Sequence, residues 1–187
     1  MMNMYSHSIM ETEIETISIR TERCSETGRI LCIQHLRNGK LHRADGPALL
    51  RYEPAGEAAE TAGFDFHVKG MILVERGFYC NGKLHNEIDP ALQLWSAKTG
   101  YCTHIEYRQY GKLGRDADLP CLIKMDEDTG YVIHEEHRHS GRRMRFAFRD
   151  GVVTIKRDGK TGEVTTIEEK QGRRISRLEG PLSNEFN

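Results

Sequence analysis

Two stretches of this 187-residue chain read almost alike: N-G-K-L-H-R-A-D-G-P-A-L at positions 38–49 and N-G-K-L-H-N-E-I-D-P-A-L at positions 81–92. A looser copy, G-K-L-G-R-D-A-D-L-P-C-L, occupies positions 111–122. The turn glycine precedes a proline by eight residues in the first two copies and by nine in the third. This recurrence predicts a fold of repeated units, each packed against its neighbours.

Glycines extend the pattern along the chain. One series stands at positions 39, 82, 111, 141 and 172, with steps of 43, 29, 30 and 31 residues. A second series, at positions 56, 100, 130 and 162, has steps of 44, 30 and 32 residues. The two series share a period near 30 residues. The longer first step predicts an insertion of about 13 residues near positions 57–70.

The local sequence favours β-hairpins. Asn-Gly, found at 38–39 and 81–82, suits a type I′ turn, because both central residues of that turn take a positive φ. Runs rich in β-forming residues precede the turns, at 30–37, 71–80, 104–110 and 131–139, and side chains alternate with a period of two in 103–110, 131–139 and 143–149. We therefore predict an all-β fold, an antiparallel β-meander of about five hairpin repeats of about 30 residues each.

The same pattern suggests how the chain is organised. We expect a repeat domain at 29–183, with the insertion near 57–70, preceded by an acidic N-terminal capping segment at 1–28. The last residues, 184–187, form a tail.

Composition limits the possible partners. The chain carries 27 Lys+Arg and 28 Asp+Glu, so it lacks the basic excess that nucleic-acid binding usually needs. Hydrophobic residues make up 37% and charged residues 29%, which favours a thin, solvated sheet over a thick core. Apolar runs are only a few residues long, so we expect no membrane-spanning helix, and we see no secretory signal.

Cysteine spacing and catalytic motifs point away from a metal site or an enzyme. The five cysteines, at 24, 32, 80, 102 and 121, form no C-x-x-C pair, so we expect free thiols in a reducing cytoplasm. A P-loop, a G-x-S-x-G serine and a dinucleotide fingerprint are all missing from the sequence. We expect a non-enzymatic protein that needs no cofactor.

The stretch at 38–49 resembles the repeat of bacterial and viral proteins built on N-G-K-L-H-R-x-D-G-P-A units. These proteins are similar to the MORN-repeat and YwqK-type proteins, whose units are β-hairpins. The unit here is longer than a typical MORN unit and keeps little of the aromatic-glycine signature. The resemblance implies an all-β, MORN-like scaffold that works by binding, with antitoxin-like and bacteriophage relatives.

A basic stretch is the candidate site for a partner or ligand. Arginines surround a predicted turn at 140–141, and three of them are expected on one strand face, opposite Met144, Phe146 and Phe148. Such arginines can bind phosphate or an acidic protein surface through paired hydrogen bonds. The alternative is an ordinary polar outer face. The candidate binding residues are Arg138, His139, Arg142, Arg143, Arg145 and Arg149.

Two groups of histidines invite a chemical interpretation. The cluster at 134–139, H-E-E-H-R-H, is the best metal candidate, but a strand places His134 on one face and His137 with His139 on the other. Catalytic zinc normally has three protein ligands, so we favour a solvated strand face. The pairs His42 with Asp45 and His85 with Asp89 recur at equivalent turns, which favours a turn-stabilising role over acid–base catalysis.

Three functional hypotheses follow. The leading one is a cytoplasmic scaffold that binds and neutralises a partner protein, as a phage- or toxin-related inhibitor with an anti-defence role. The second is a sponge that sequesters a nucleotide or cyclic dinucleotide at 138–149. The third is a metal-dependent hydrolase using the cluster at 134–139. A homo-oligomer is also possible, with the acidic N-terminal segment of one copy against the basic stretch of another.

Overall fold

The computed structural model describes residues 15–57, 70–115, 119–138, 152–171 and 173–182. These residues form sixteen β-strands: β1 (Ile17–Arg23), β2 (Ile30–Arg37), β3 (Lys40–Leu41), β4 (Leu49–Pro54), β5 (Met71–Gly77), β6 (Tyr79–Cys80), β7 (Lys83–Leu84), β8 (Leu92–Trp95), β9 (Cys102–Glu106), β10 (Arg108–Gln109), β11 (Lys112–Leu113), β12 (Leu122–Met125), β13 (Val132–Arg138), β14 (Val152–Arg157), β15 (Val164–Gln171) and β16 (Arg174–Leu182).

Most strands belong to one long antiparallel sheet. Its order is β1-β2-β4-β5-β8-β9-β12-β13-β14-β15-β16, so consecutive long strands lie side by side. The remaining short strands form small hairpins: β3 pairs with β2, β6 with β7, and β10 with β11. The predicted all-β antiparallel meander of successive hairpins is confirmed. The number of repeats stays a prediction, because residues 139–151 lie outside the described residues.

The tips of the small hairpins adopt the backbone expected for type I′ turns. Asn38 and Asn81 both have φ of 50°, and the glycines that follow them have φ of 73° and 79°. At the third tip Tyr110 takes the place of asparagine, with φ of 49°. Its ring stacks on His85 at a centroid distance of 4.0 Å, a contact that helps to hold a large residue in this conformation.

Neighbouring small hairpins are joined through their backbones. The N–H of Gly82 donates to the oxygen of Leu41, and the N–H of Gly111 donates to the oxygen of Leu84, both at 2.7 Å. The tips at Gly39 and Gly82 are adjacent although 43 residues separate these glycines, compared with 29 between Gly82 and Gly111. The extra residues therefore lie between β4 and β5. The predicted insertion at 57–70 itself lies almost entirely outside the described residues.

A second kind of turn stands at the other end of the long strands. Gly28, Gly100, Gly130 and Gly162 each have φ between 66° and 79°. Each donates its N–H to the carbonyl four residues earlier at 2.9 Å, and a β-bulge accompanies each turn. An Asp or Ser side chain caps three of these turns, as Asp158 does by accepting from the N–H groups of Lys160 and Thr161.

The described residues enclose little apolar volume. Ile72 and Val74 pack against Ala55 and Ala97 as the central cluster. Three small residues after the prolines, Ala48, Ala91 and Cys121, have no exposed surface. Each donates its N–H to the neighbouring long strand at 2.8–2.9 Å, so a small side chain is what this close approach requires.

Two predicted strands are divided. The run 71–80 forms β5 and β6, and the run 104–110 forms β9 and β10. The break falls where the partner strand ends, since the N–H of Phe78 bonds to Ala91 and that of Tyr107 to Cys121. Beyond those residues the chain pairs with its own return segment, and the preceding hairpin adds one backbone bond to each of β6 and β10, from Arg43 to the oxygen of Tyr79 and from Asn86 to the oxygen of Arg108. Among the described residues, no helix has the length and apolar character needed to cross a membrane.

Candidate binding surface

A five-residue pattern, H-x-E-x-R, occurs twice at a spacing of 30 residues, at positions 104–108 and 134–138. The first copy spans β9 and β10, and the second lies in β13. Alternate residues of a strand point to the same side of a sheet. Each copy therefore presents one histidine, one glutamate and one arginine on a common face, which we call the charged face.

Strand register aligns these side chains into rows. His104 lies opposite Lys124, Lys124 opposite His134, and His134 opposite Lys156, which makes a basic row across four adjacent strands. Two residues further along β9 and β13, Glu106 and Glu136 both lie opposite Leu122.

The same register continues to both sides, with Leu92 beside Glu106 and Thr154 beside Glu136. Glu168 lies opposite Thr154 and adds a further carboxylate to this acidic row. The charged face thus carries a basic row and an acidic row side by side.

Two side chains of the charged face hold the carboxylate of Glu106. His104 donates from Nε2 to Glu106 Oε1 at 2.8 Å, and the Nε of Arg108 donates to the other carboxylate oxygen. Arg108 also donates to the oxygen of Gly111 at 2.8 Å. The hydrogen bond from His104, followed by the contact with Arg108, lowers the pKa of Glu106 to about 2 despite the opposing effect of burial. Glu106 is therefore ionised and fixed in orientation at neutral pH.

The second copy has the same carboxylate–guanidinium pair. The Nε of Arg138 donates to Glu136 Oε1, and the Glu136 side chain is only 13% exposed. His134 differs from His104, because Lys124 and Lys156 flank it. Burial, followed by Lys124, lowers the pKa of His134, so its imidazole is neutral at pH 7.

The opposite face of the same strands is more apolar. Ile105, Ile123, Ile155 and Ile167 lie in one register row with Glu135. Arg157 lies 3.2 Å from Glu135 and neutralises the carboxylate of that row. The two faces therefore differ in chemistry, and the alternating charges are concentrated on the first.

The basic stretch proposed from the sequence is only partly visible. Arg138 lies at the end of β13 on the charged face, paired with Glu136. The other predicted binding residues, His139, Arg142, Arg143, Arg145 and Arg149, lie outside the described residues. The nucleotide-sponge hypothesis depends on those residues and stays a prediction.

The histidines of the paired turn residues contact neighbouring hairpins. His42 Nδ1 accepts from the N–H of Asn81 at 3.2 Å, and Asp45 pairs with Arg43 at 2.9 Å. The hydrogen bond from Arg43 lowers the pKa of Asp45. His85 stacks on Tyr110, as described above. These contacts support the turn-stabilising interpretation of the histidines.

Within the described residues no group of three or more His, Cys, Asp or Glu side chains is placed to hold a metal ion. His134 and His137 lie on opposite faces of β13, as the alternation predicts. His139, the third histidine of the cluster, is outside the described residues. All five cysteines are free thiols, and burial raises the pKa of Cys102 and Cys121.

The repeated H-x-E-x-R pattern was not singled out from the sequence. The signal was present in its 30-residue spacing, which equals the period of the glycines.

Comparison of the chain with protein-family models, with curated proteins and with solved structures finds no match.

Proposed function

We propose that this protein is a non-enzymatic scaffold that binds and neutralises a partner protein, and that the charged face is its binding surface. The observation that carries this proposal is the pair of adjacent rows, His104–Lys124–His134–Lys156 and Glu106–Glu136–Glu168. Rows of opposite sign suit a partner with a complementary pattern of charges. Glu106 and Glu136 of the second row are paired with Arg108 and Arg138, so the positive charge of this face that has no ion pair among the described residues is that of Lys124 and Lys156.

Two carboxylates of this surface are already held in place in the free protein. Glu106 and Glu136 are each held by an arginine, and their side chains are both 13% exposed. A partner that binds them has less side-chain freedom to remove, and this lowers the entropic cost of association. Fixed charges also favour one partner orientation over others, so the surface supports selective binding.

The size of the sheet suits a protein partner. Its main path has eleven strands. Strand spacings of about 4.8 Å make the path about 48 Å wide, and strands of about six residues are about 20 Å long. The resulting area of about 1,000 Å² is that of the whole sheet, and the charged rows occupy five of its strands, so a partner that buries the roughly 800 Å² of a standard interface would extend beyond the rows. The repeat resemblance supports an inhibitor of phage or toxin type that acts in the cytoplasm.

Charge reversal tests the proposal. The protein is immobilised and the proteins it retains from a bacterial lysate are quantified for the wild type and two double variants. The first double variant, Lys124→Glu with Lys156→Glu, reverses two charges of the basic row. The second, Lys40→Glu with Lys112→Glu, changes the net charge of the protein by the same amount, but at the hairpin tips. We expect the first variant to lose the retained partner at least tenfold and the second to keep it. Equal retention by both variants, or no retained protein at micromolar concentration, would contradict the proposal.

A further inference from the structure

A cleft of about 460 Å³ lies beside the turn at Gly28. This turn is near the β1 edge of the sheet, and β16 forms the opposite edge. Half of its lining residues are apolar or aromatic: Ile30, Ile33, Tyr52 and Met71. They come from three neighbouring strands or their ends, β2, β4 and β5, so the sheet holds them in fixed relative positions. The volume is within the range of about 300–1,000 Å³ typical of small-molecule sites.

Two arginines line the same cleft. Arg23 ends β1 and Arg29 follows the turn glycine, and both are exposed. Arg23 donates to the oxygen of Gly28 at 3.0 Å. Among the described residues neither guanidinium forms an ion pair with a carboxylate, in contrast to Arg51, which lies 3.4 Å from Glu75. The positive charge at this cleft is therefore available to a ligand.

A second cleft has the opposite character. Its volume is about 510 Å³, and Glu53, Glu75, Asp126 and Glu127 are among its lining residues. Its single arginine, Arg51, is already paired with Glu75. An anion would be repelled there, so the two clefts differ in the sign of the charge that they favour.

We infer that the cleft at Arg23 and Arg29 binds a small organic anion with a flat apolar body. Ile33, Tyr52 and Met71 would cover the apolar body. A guanidinium can donate two parallel hydrogen bonds to a carboxylate, phosphate or sulfonate, and can also stack on a flat ring. This site is separate from the charged face and does not depend on the function proposed for that face.

Two fluorescent probes with the same ring system test the inference. One is 8-anilinonaphthalene-1-sulfonate, and the other is N-phenyl-1-naphthylamine, which lacks the sulfonate. We expect one molecule of the sulfonate probe to bind per chain, about tenfold more tightly than the neutral probe. The difference arises because only the sulfonate can accept a charged hydrogen bond from a guanidinium. Arg29→Gln should remove that tenfold advantage and leave the affinity for the neutral probe unchanged.

Two further variants serve as controls. Arg20→Gln removes an arginine of the same strand that does not line the cleft, and it should keep the affinity of the wild type for both probes. Ile33→Asn should weaken both probes several-fold, with the far-ultraviolet circular dichroism of each variant checked against the wild type. Equal affinity of the two probes for the wild type, or an unchanged sulfonate affinity in Arg29→Gln, would overturn the inference.

Discussion

The side-chain hydroxyl of Thr129 lies 2.7 Å from the carbonyl oxygen of Gly159, thirty residues further along the chain. Thr99 makes the equivalent bond to the oxygen of Glu127, also at 2.7 Å. Successive glycine turns are therefore joined by side chains as well as by the strands between them. Because the sheet encloses little apolar volume, such bonds between neighbouring units add to the backbone pairing that holds the array together.

Removing the hydroxyl of Thr129 should measurably destabilise the protein. Valine keeps the branched shape, but it cannot bond to Gly159 or accept from the N–H of Tyr131. We expect Thr129→Val to lower the free energy of unfolding by about 1 kcal/mol, as measured by urea denaturation. Thr154→Val is the control, because valine suits a strand and the hydroxyl of Thr154 makes no described hydrogen bond. A similar loss in both variants would contradict this role for Thr129.

The third hairpin offers a matched pair of glycines. Gly111 has φ of 83°, whereas Gly114 has an ordinary φ and open space where a Cβ would stand. We expect Gly111→Ala to cost about 1–2 kcal/mol, because alanine is strained in the left-handed region. Gly114→Ala should be neutral or slightly stabilising, because alanine has less freedom in the unfolded chain. Equal effects on the urea midpoint would show that the tip does not need its left-handed conformation.

Some of this arrangement could be predicted from local sequence, and some could not. Asn38 and Asn81 each precede a glycine, so their turns and the strands around them follow from residue type. Tyr110 is a poor residue for the same conformation, and its stacking on His85 in the neighbouring hairpin favours it there. That contact depends on which hairpins are adjacent, and the conformational preferences of single residues do not predict which hairpins are neighbours.

The charged face was missed for a related reason. Glu106 and Glu136 lie in one row only because β9 and β13 both pair with β12 in a register that places each glutamate opposite Leu122. Turn geometry and bulges set that register, and a shift of one residue would send the glutamates to the opposite face. Alternation within each strand predicts the face of a side chain, but it does not predict the row.

Acid should remove the contribution of Glu106 to stability. Its pKa is lowered from 4.5 to about 2 in the folded protein, so the carboxylate stabilises the fold above pH 4.5 and loses this effect as the pH falls toward 2. We expect Glu106→Gln to be less stable than the wild type by about 2–3 kcal/mol at pH 6. The difference should shrink progressively between pH 4.5 and pH 2. A difference in urea-unfolding free energy that is independent of pH would contradict the ionised network.

The five thiols should differ in reactivity. The hydrogen bond with Thr27 lowers the pKa of Cys24, whereas burial raises the pKa of Cys32 and of Cys121. The thiolate is the reactive form, so we expect Cys24 to react first with Ellman's reagent at pH 7.5. Cys24→Ser should abolish the fast phase, and Cys121→Ser should leave it unchanged. A fast phase that survives Cys24→Ser would contradict this assignment.

Lysine footprinting of the complex tests the central claim most directly. The protein, alone and with its captured partner, is acetylated briefly, and each lysine is quantified by mass spectrometry. We predict that Lys124 and Lys156 of the basic row become at least fivefold less reactive in the complex, whereas Lys40, Lys83 and Lys112 at the hairpin tips do not change. Protection of the tips, with Lys124 and Lys156 as reactive as in the free protein, would show that the partner binds elsewhere.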